Sequence, residues 1–190
     1  SHRRVSPEPL SRMEALVELL GSPQLQYPVI HITGTNGKGS VARMVTALLV
    51  ESGLSVGTYT SPHLERLNER ISVNCEPIPD DDFAEQVAAI ADLEVLTAVR
   101  PSYFETLTAA AYRWFADVAV DVAVVEVGLL GRWDATNVCE SQVAVITNIG
   151  LDHTEFAGPT LAHIAAEKSG IIKPGSAVVI GEQDPDIVQI

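Results

Sequence analysis

The sequence predicts a three-layer α/β fold, a mostly parallel P-loop-type sheet with helices on both faces, and three observations carry that prediction. Helical and strand patterns alternate along the 190 residues. A glycine-rich heptapeptide, Gly34-Thr35-Asn36-Gly37-Lys38-Gly39-Ser40, sits between a strand-like run and a helix-patterned segment. Val118 to Val127 is almost continuously apolar and β-branched, interrupted by Asp121, and from Val122 it reads as a central strand buried on both faces. Such alternation builds a parallel sheet through right-handed crossovers.

The elements follow in order. Pro9 to Leu20 places Leu10, Met13, Leu16, Val17 and Leu20 on one helical face, and Gly21 stops it. Within the apolar run Tyr27 to Thr33, Val29 to Thr33 is a strand; after the glycine-rich loop, Val41 to Ser52 is a helix and Ser55 to Thr60 a second strand. Ser61 to Arg70 is an excursion containing proline and charge. Pro79 and Asp80 to Asp82 open a helix reaching about Leu96, with acidic residues at its positive end. Phe104 to Ala116 is a further helix, Val143 to Thr147 a strand, Leu161 to Ser169 a short helix and Ala177 to Ile180 the last strand.

Composition sets the limits. At 46% hydrophobic content the chain buries one substantial core. A formal charge of −13 excludes general nucleic-acid binding, which needs clustered Lys and Arg, so an anionic ligand must be held by local positive groups. Two cysteines, Cys75 and Cys139, are too few for a metal cluster and read as reduced thiols. With no apolar stretch long enough to cross a bilayer, the expectation is a cytoplasmic protein that binds no membrane.

The heptapeptide lies where a phosphate cradle belongs. Its glycines let consecutive N–H groups turn toward an anion, Lys38 adds a mobile cation, Ser40 offers a hydroxyl to Mg²⁺, and the following helix contributes its dipole. A nucleoside triphosphate with Mg²⁺ is the predicted ligand. The spacing departs from G-x-x-x-x-G-K-[ST], because Gly39 intervenes before Ser40 and Ile32 occupies the place of the first glycine.

Ligands in such sheets lie beyond the carboxyl ends of the strands. The polar residues there are Ser61, Pro62 and His63, then Glu126 and Gly128, then Asn148, Asp152 and His153. Glu126 ends a buried run where P-loop enzymes hold Mg²⁺, and its other reading is a cap on the next turn. For His153 the chemistry leaves both a ligand and a loop hydrogen-bonding role open. By spacing alone, Lys168 beside Glu167 reads as a solvated charge pair.

Six motifs then carry a resemblance. Thr33-Gly-Thr-Asn-Gly-Lys-Gly-Ser40, Ser61-Pro-His-Leu64 with Asn68-Glu-Arg70, Phe104-Glu-Thr-Leu-Thr108, Glu126-Val-Gly128 with Gly131-Arg132 and Asp134-Ala-Thr-Asn137, Leu151-Asp-His153, and Glu167-Lys-Ser-Gly-Ile171 resemble, in this order, the folate-handling branch of the Mur ligase family, the folylpolyglutamate and dihydrofolate synthases. That branch joins an amino group to a carboxylate through an acyl phosphate, using ATP.

The resemblance implies roles for single residues. Gly34, Thr35, Asn36, Gly37, Lys38, Gly39 and Ser40 bind the ATP phosphates, and Ser40, Ser61 and Glu126 hold a first Mg²⁺. Glu126, His153 and a carbamylated Lys168 hold a second, the carbamate supplying an oxygen donor that an ammonium lacks. Lys38, Glu126, His153 and Lys168 are thus the expected catalytic set. Phe104, Glu105, Thr106, Leu107, Trp133, Asp134 and Ala135 are expected to contact the pteridine; an aromatic such as Trp133 suits a flat heterocycle and equally a core or lid.

The substrates implied are dihydropteroate or folate together with L-glutamate, and the full-length protein is expected to be a monomer. Leu130 stands where the family has the first of two adjacent glycines, so the loop is expected to lose access to positive φ and to shift its path. Family members are much longer, and residues 1 to 190 are read as the N-terminal part of the ATP-binding domain, without the smaller C-terminal domain. Two other readings stay open: a cell-wall-type Mur ligase, and a non-ligase P-loop module. The Gly39-Ser40 pair and the Ser61-Pro-His-Leu segment favour the folate branch.

Overall fold

The computed structural model describes residues 8 to 97 and 99 to 190. In chain order the elements are α1 (Glu8–Leu19), β1 (Val29–Thr33), α2 (Lys38–Glu51), β2 (Val56–Tyr59), β3 (Ile71–Val73), β4 (Glu76–Pro77), α3 (Asp80–Leu96), α4 (Tyr103–Asp117), β5 (Val122–Glu126), β6 (Val143–Ile146), α5 (Thr154–Ala157), α6 (Leu161–Lys168), β7 (Ala177–Ile180) and α7 (Pro185–Val188). The seven strands form one sheet in the order β4-β3-β2-β5-β1-β6-β7. The pairs from β2 through β7 are parallel, and β3 and β4 run antiparallel at one edge.

Strand alternation divides the core between two layers of helix. On β5, Val122 and Val124 join Ile32, Val56 and Ala42 under α2, while Ala123 and Val125 face the larger cluster built by Met13 and Leu16 of α1 and Phe115 of α4. All five residues of β5 are buried, as expected for a strand covered on both faces. A capping box at the start of α4 ties α1 and α4 together within one of these layers. Ser102 accepts from Glu105 N and Glu105 accepts from Ser102 N, and the same carboxylate takes a forked bond from Arg12 of α1, with Nε and Nη2 both at 2.9 Å.

Two features differ from the sequence expectation, the start of α2 and a hairpin, while the start of β5 agrees with it. Helix α2 starts at Lys38 rather than Val41, because Gly37 caps it at φ 80° and its carbonyl accepts from Val41 N. The end of the phosphate loop is therefore the helix's first turn. Strand β5 begins at Val122, where the sequence reading placed it: Val118 to Val120 wrap the end of α4 through Val118 N to Trp114 O and Val120 N to Phe115 O, and Ala119 turns at φ 52°. The β3–β4 hairpin was not anticipated. Its strands are very short, and its turn residues, Asn74 at φ 52° and Cys75 at φ 69°, take the left-handed conformation without a glycine.

Candidate active site

The phosphate loop is shaped from outside as well as within. Gly34 has φ 151°, and a Cβ there would stand 1.8 Å from Thr147 Oγ1, so no side chain fits. The segment following β6 clamps the loop. Asn148 Oδ1 accepts from Thr35 N at 3.2 Å and Asn36 N at 2.9 Å, Thr147 Oγ1 donates to Asn36 O at 2.7 Å, and Gly150 N donates to Thr35 Oγ1 at 2.9 Å. Lys38 folds back onto its own loop and donates to Gly34 O at 3.0 Å.

The loop from Thr35 to Ser40 lines a cavity of about 330 Å³. Glu126, at the end of β5, faces Ser40 and Ser61 across it, and the nearest atom to a Cβ built on Gly39 is the Glu126 carboxylate, at 3.5 Å. Burial raises the Glu126 pKa, opposed by Ser61 N, which donates to Oε2 at 3.0 Å, and by the charges of Lys38 and Arg43. A buried carboxylate with one backbone donor and two hydroxyl groups opposite is an oxygen-rich set suited to a hard divalent cation. The residues expected to hold the first Mg²⁺ are thus together. Arg43, one turn beyond Ser40 on α2, also lines this cavity and escaped the sequence reading, since an exposed helical arginine carries no signal of its own.

A second, more apolar cavity of about 470 Å³ adjoins the first, with Ser61 and Pro62 in the walls of both. Phe104, Trp133, Ala135 and Leu129 supply its apolar surface, and Arg70 lies at its wall. Of the residues expected to contact the pteridine, Phe104, Glu105, Trp133, Asp134 and Ala135 line it. Leu107 instead packs in the core, and Thr106 turns its hydroxyl to Ser102 O at 3.1 Å. Glu105 borders the cavity with both oxygens already bonded to Arg12 and Ser102. Gly128 is required here, since a Cβ would stand 2.4 Å from the Phe104 ring.

The wall from Gly128 to Ala135 rests on buried polar groups. Asp134 accepts from Leu129 N at 2.7 Å, Thr136 N at 3.0 Å and Thr136 Oγ1 at 2.5 Å, while burial pushes its pKa up. Because the Thr136 proton goes to Asp134, His31 donates its Nε2–H to Thr136 Oγ1 at 2.8 Å. His31 is fully buried and its pKa falls to about 3, chiefly through desolvation, so this imidazole is neutral. Leu130, expected to displace the loop for want of glycine, adopts φ 59° itself; its side chain is buried and its carbonyl accepts from Thr33 Oγ1. The left-handed conformation is retained at a steric cost of about 1–2 kcal/mol.

Lys168 corrects the spacing argument outright. It is 2% exposed, and its Nζ donates to Gly34 O at 2.8 Å. Burial first, and then the charge of Lys38, bring its pKa down to about 8, with Asp152 opposing. The apolar helix α6 delivers Lys168 to the underside of the phosphate loop, which one-dimensional spacing cannot show. His153 caps α5 in the left-handed region at φ 50° and lies 3.4 Å from Asp152. Neither His153 nor Lys168 lines the phosphate cavity, and among the described residues no group of three or more His, Cys, Asp or Glu side chains clusters as a metal site.

Comparison with known proteins fits this geometry. The Mur ligase middle domain matches residues 85–189. The dihydrofolate synthase/folylpolyglutamate synthase of Mycobacterium tuberculosis is 47% identical over 98% of this chain and 42% of its own length, and the folylpolyglutamate synthase of Lacticaseibacillus casei is 46% identical over 94% and 43%. Among solved structures, an FPGS-AMPPCP-folate complex superposes with a TM-score of 0.92 at 45% identity, covering all of this chain and 48% of that one. The Mycobacterium tuberculosis folylpolyglutamate synthase complexed with ADP gives a TM-score of 0.88 at 47% identity over 99% of this chain and 44% of that one. The chain spans less than half the length of these relatives. A clamped phosphate loop, an acidic strand end and a neighbouring apolar cavity, matched by a family profile over more than half the chain, place it in the Mur ligase family.

Proposed function

We infer that the full-length protein is an ATP-dependent acid–amino-acid ligase that adds L-glutamate to dihydropteroate, to folates, or to both. The observation that carries this reading is the shared Ser61-Pro62 wall: a phosphate cavity and an apolar cavity of heterocycle size meet there. A nucleotide switch has no use for the second. Relatives named for folate synthases and a folate-bound neighbour support the same substrate class.

The mechanism follows from the positions of these side chains. The heterocycle lies against Phe104 and Trp133, and the acid end points past Ser61 toward the phosphate loop. Its carboxylate oxygen attacks the γ-phosphorus of ATP and the bond to ADP breaks; the amine of L-glutamate then attacks the acyl carbon, phosphate leaves, and a proton is lost to give the amide. Lys38 moves from Gly34 O onto the transferring phosphoryl group and stabilises its charge. Ser40, Ser61 and Glu126 would hold one Mg²⁺, and Glu126, His153 and a carbamylated Lys168 a second. When bound, these ions supply charge stabilisation at the phosphates.

Acyl phosphates hydrolyse in water, so the intermediate needs enclosure. In this reading residues 1 to 190 are the N-terminal part of the ATP-binding domain, and a C-terminal domain outside them closes the site of a cytoplasmic monomer. The test is ADP release by the full-length protein, which should require L-glutamate together with dihydropteroate or a folate. ADP release with a cell-wall precursor acid alone would refute the folate assignment. The 190-residue chain by itself is expected to show no glutamate-dependent turnover.

A further inference from the structure

Beside the phosphate cavity lies a third space of about 390 Å³ that no role so far described uses. Its floor is the α2-facing surface of β2 and the β3–β4 hairpin, and its wall is α2. Arg43 and Thr60 line both this space and the phosphate cavity, so the two are continuous.

The groups facing it differ in how far they are committed. Thr46 and Thr58 bond each other at 2.7 Å. Glu69 borders the space, and its oxygens take the N–H groups of Leu64, Glu65 and Arg66. Arg43 forms no hydrogen bond or ion pair among the described residues, and the hydroxyl groups of Thr60 and Ser72 also have none. One guanidinium that makes no hydrogen bond, its charge felt by Glu126, and two hydroxyls without partners among the described residues therefore meet where the space opens onto the phosphates. Arg70, the cation of the apolar cavity, is occupied: its Nε donates to His63 Nδ1 at 3.0 Å and its guanidinium lies 5.8 Å from the Tyr103 ring centre.

The acid substrates of the proposed reaction differ in one respect. Dihydropteroate ends in a single benzoate carboxylate. A folate ends in a glutamyl unit with two carboxylates on one short side chain, so when one is presented for phosphorylation the other must lie close to ATP phosphates that repel it. The geometry points to Arg43, with Thr60 and Ser72, as the seat of this second carboxylate, in the cavity between α2 and the β3–β4 hairpin. Guanidinium suits the task because its planar fork bonds a carboxylate at two points. Arg43 is then a specificity-determining residue that separates glutamyl-terminated acids from dihydropteroate and fixes which of the two carboxylates reaches the phosphate.

The inference rests on the acid-substrate reading above, and its test has two readouts in the full-length protein. In the first, Arg43→Gln is expected to raise KM for a monoglutamyl folate about ten- to hundredfold relative to its effect on KM for dihydropteroate, the scale of one lost charge-assisted bond. An equal factor for both acids would assign Arg43 to the nucleotide alone and overturn the proposal, as would no change for either. The second readout needs no turnover. Cys75 is exposed and lines the cavity, so its alkylation by iodoacetamide, followed by peptide mass spectrometry, reports occupancy. Folic acid is expected to slow alkylation several-fold in the wild type and pteroic acid to leave it unchanged, with the difference lost in Arg43→Gln. Equal protection by both acids, or by neither, would refute the seat. Should the wild type turn over neither acid, the functional reading falls while the alkylation result still decides this one.

Discussion

Lys38 and Lys168 donate to the same acceptor, the carbonyl oxygen of Gly34, from 3.0 and 2.8 Å. Two ammonium groups on one carbonyl repel each other, and the buried member yields. With its pKa at about 8 against 10.5 for a free lysine, Lys168 keeps its proton below pH 8 in both folded and unfolded chains, and the folded state then bears the full cost of burying it. Between about 8 and 10.5 only the unfolded chain stays protonated, so stability in metal-free buffer should rise with pH by on the order of 3 kcal/mol. Lys168→Met should abolish this rise and be the more stable protein at pH 7. Denaturant titrations across the window check it; a flat wild-type profile would show that the charge is not buried.

The same lowered pKa makes the neutral Lys168 amine available to CO₂. A carbamate there would convert the repulsion into attraction toward Lys38. Labelled bicarbonate should give a carbamate carbon resonance in wild-type protein that is missing from Lys168→Ala, and acetate should partly restore the proposed activity to that variant of the full-length protein. No resonance, together with full activity of Lys168→Ala, would return Lys168 to a purely structural position.

Removing the mobile cation of the phosphate loop has a separate signature. Lys38→Ala should weaken ATP–Mg²⁺ binding by about 1.5–3 kcal/mol with little change in melting temperature. Calorimetric titration decides this, and equal affinities would exclude Lys38 from the site.

Leu130 offers a test of backbone strain against burial. Replacing a buried leucine by alanine costs about 2–5 kcal/mol, while left-handed backbone at a residue with a Cβ costs about 1–2 kcal/mol. Both Leu130→Ala and Leu130→Gly should therefore destabilise the protein, but the glycine variant should melt higher than the alanine variant, reversing the usual order. An alanine variant at least as stable as the glycine one would mean that the φ of 59° carries no cost.

Much of this was legible in the chain itself because it is local. The loop from Gly34 to Ser40 announces its conformation through its glycines, and Val122 to Val125 announces burial through unbroken apolar character. What could not be read depends on distant parts meeting. Lys168 belongs to the site only because α6 packs beneath the phosphate loop, 134 positions away in sequence. His31 sits inside an apolar strand pattern, and its partner Thr136 lies 105 residues on. Arg43 looks like any solvated helical arginine until the third cavity is seen beside it. The φ of Leu130 shows a different limit, since the tertiary contacts of a buried side chain overrode the residue's own backbone preference.

The clamp that Asn148 places on Thr35 N and Asn36 N has a kinetic corollary. The loop backbone is held in place by the segment that follows β6 before any nucleotide arrives, so capture needs no folding of the loop. Association should therefore run near the encounter rate, with little temperature dependence, and differences in affinity among phosphate-loop variants should appear in how long the nucleotide stays. Asn148→Ala is the exception: with two of its tethers gone the loop is held less firmly, and the slowed step should be arrival instead of departure.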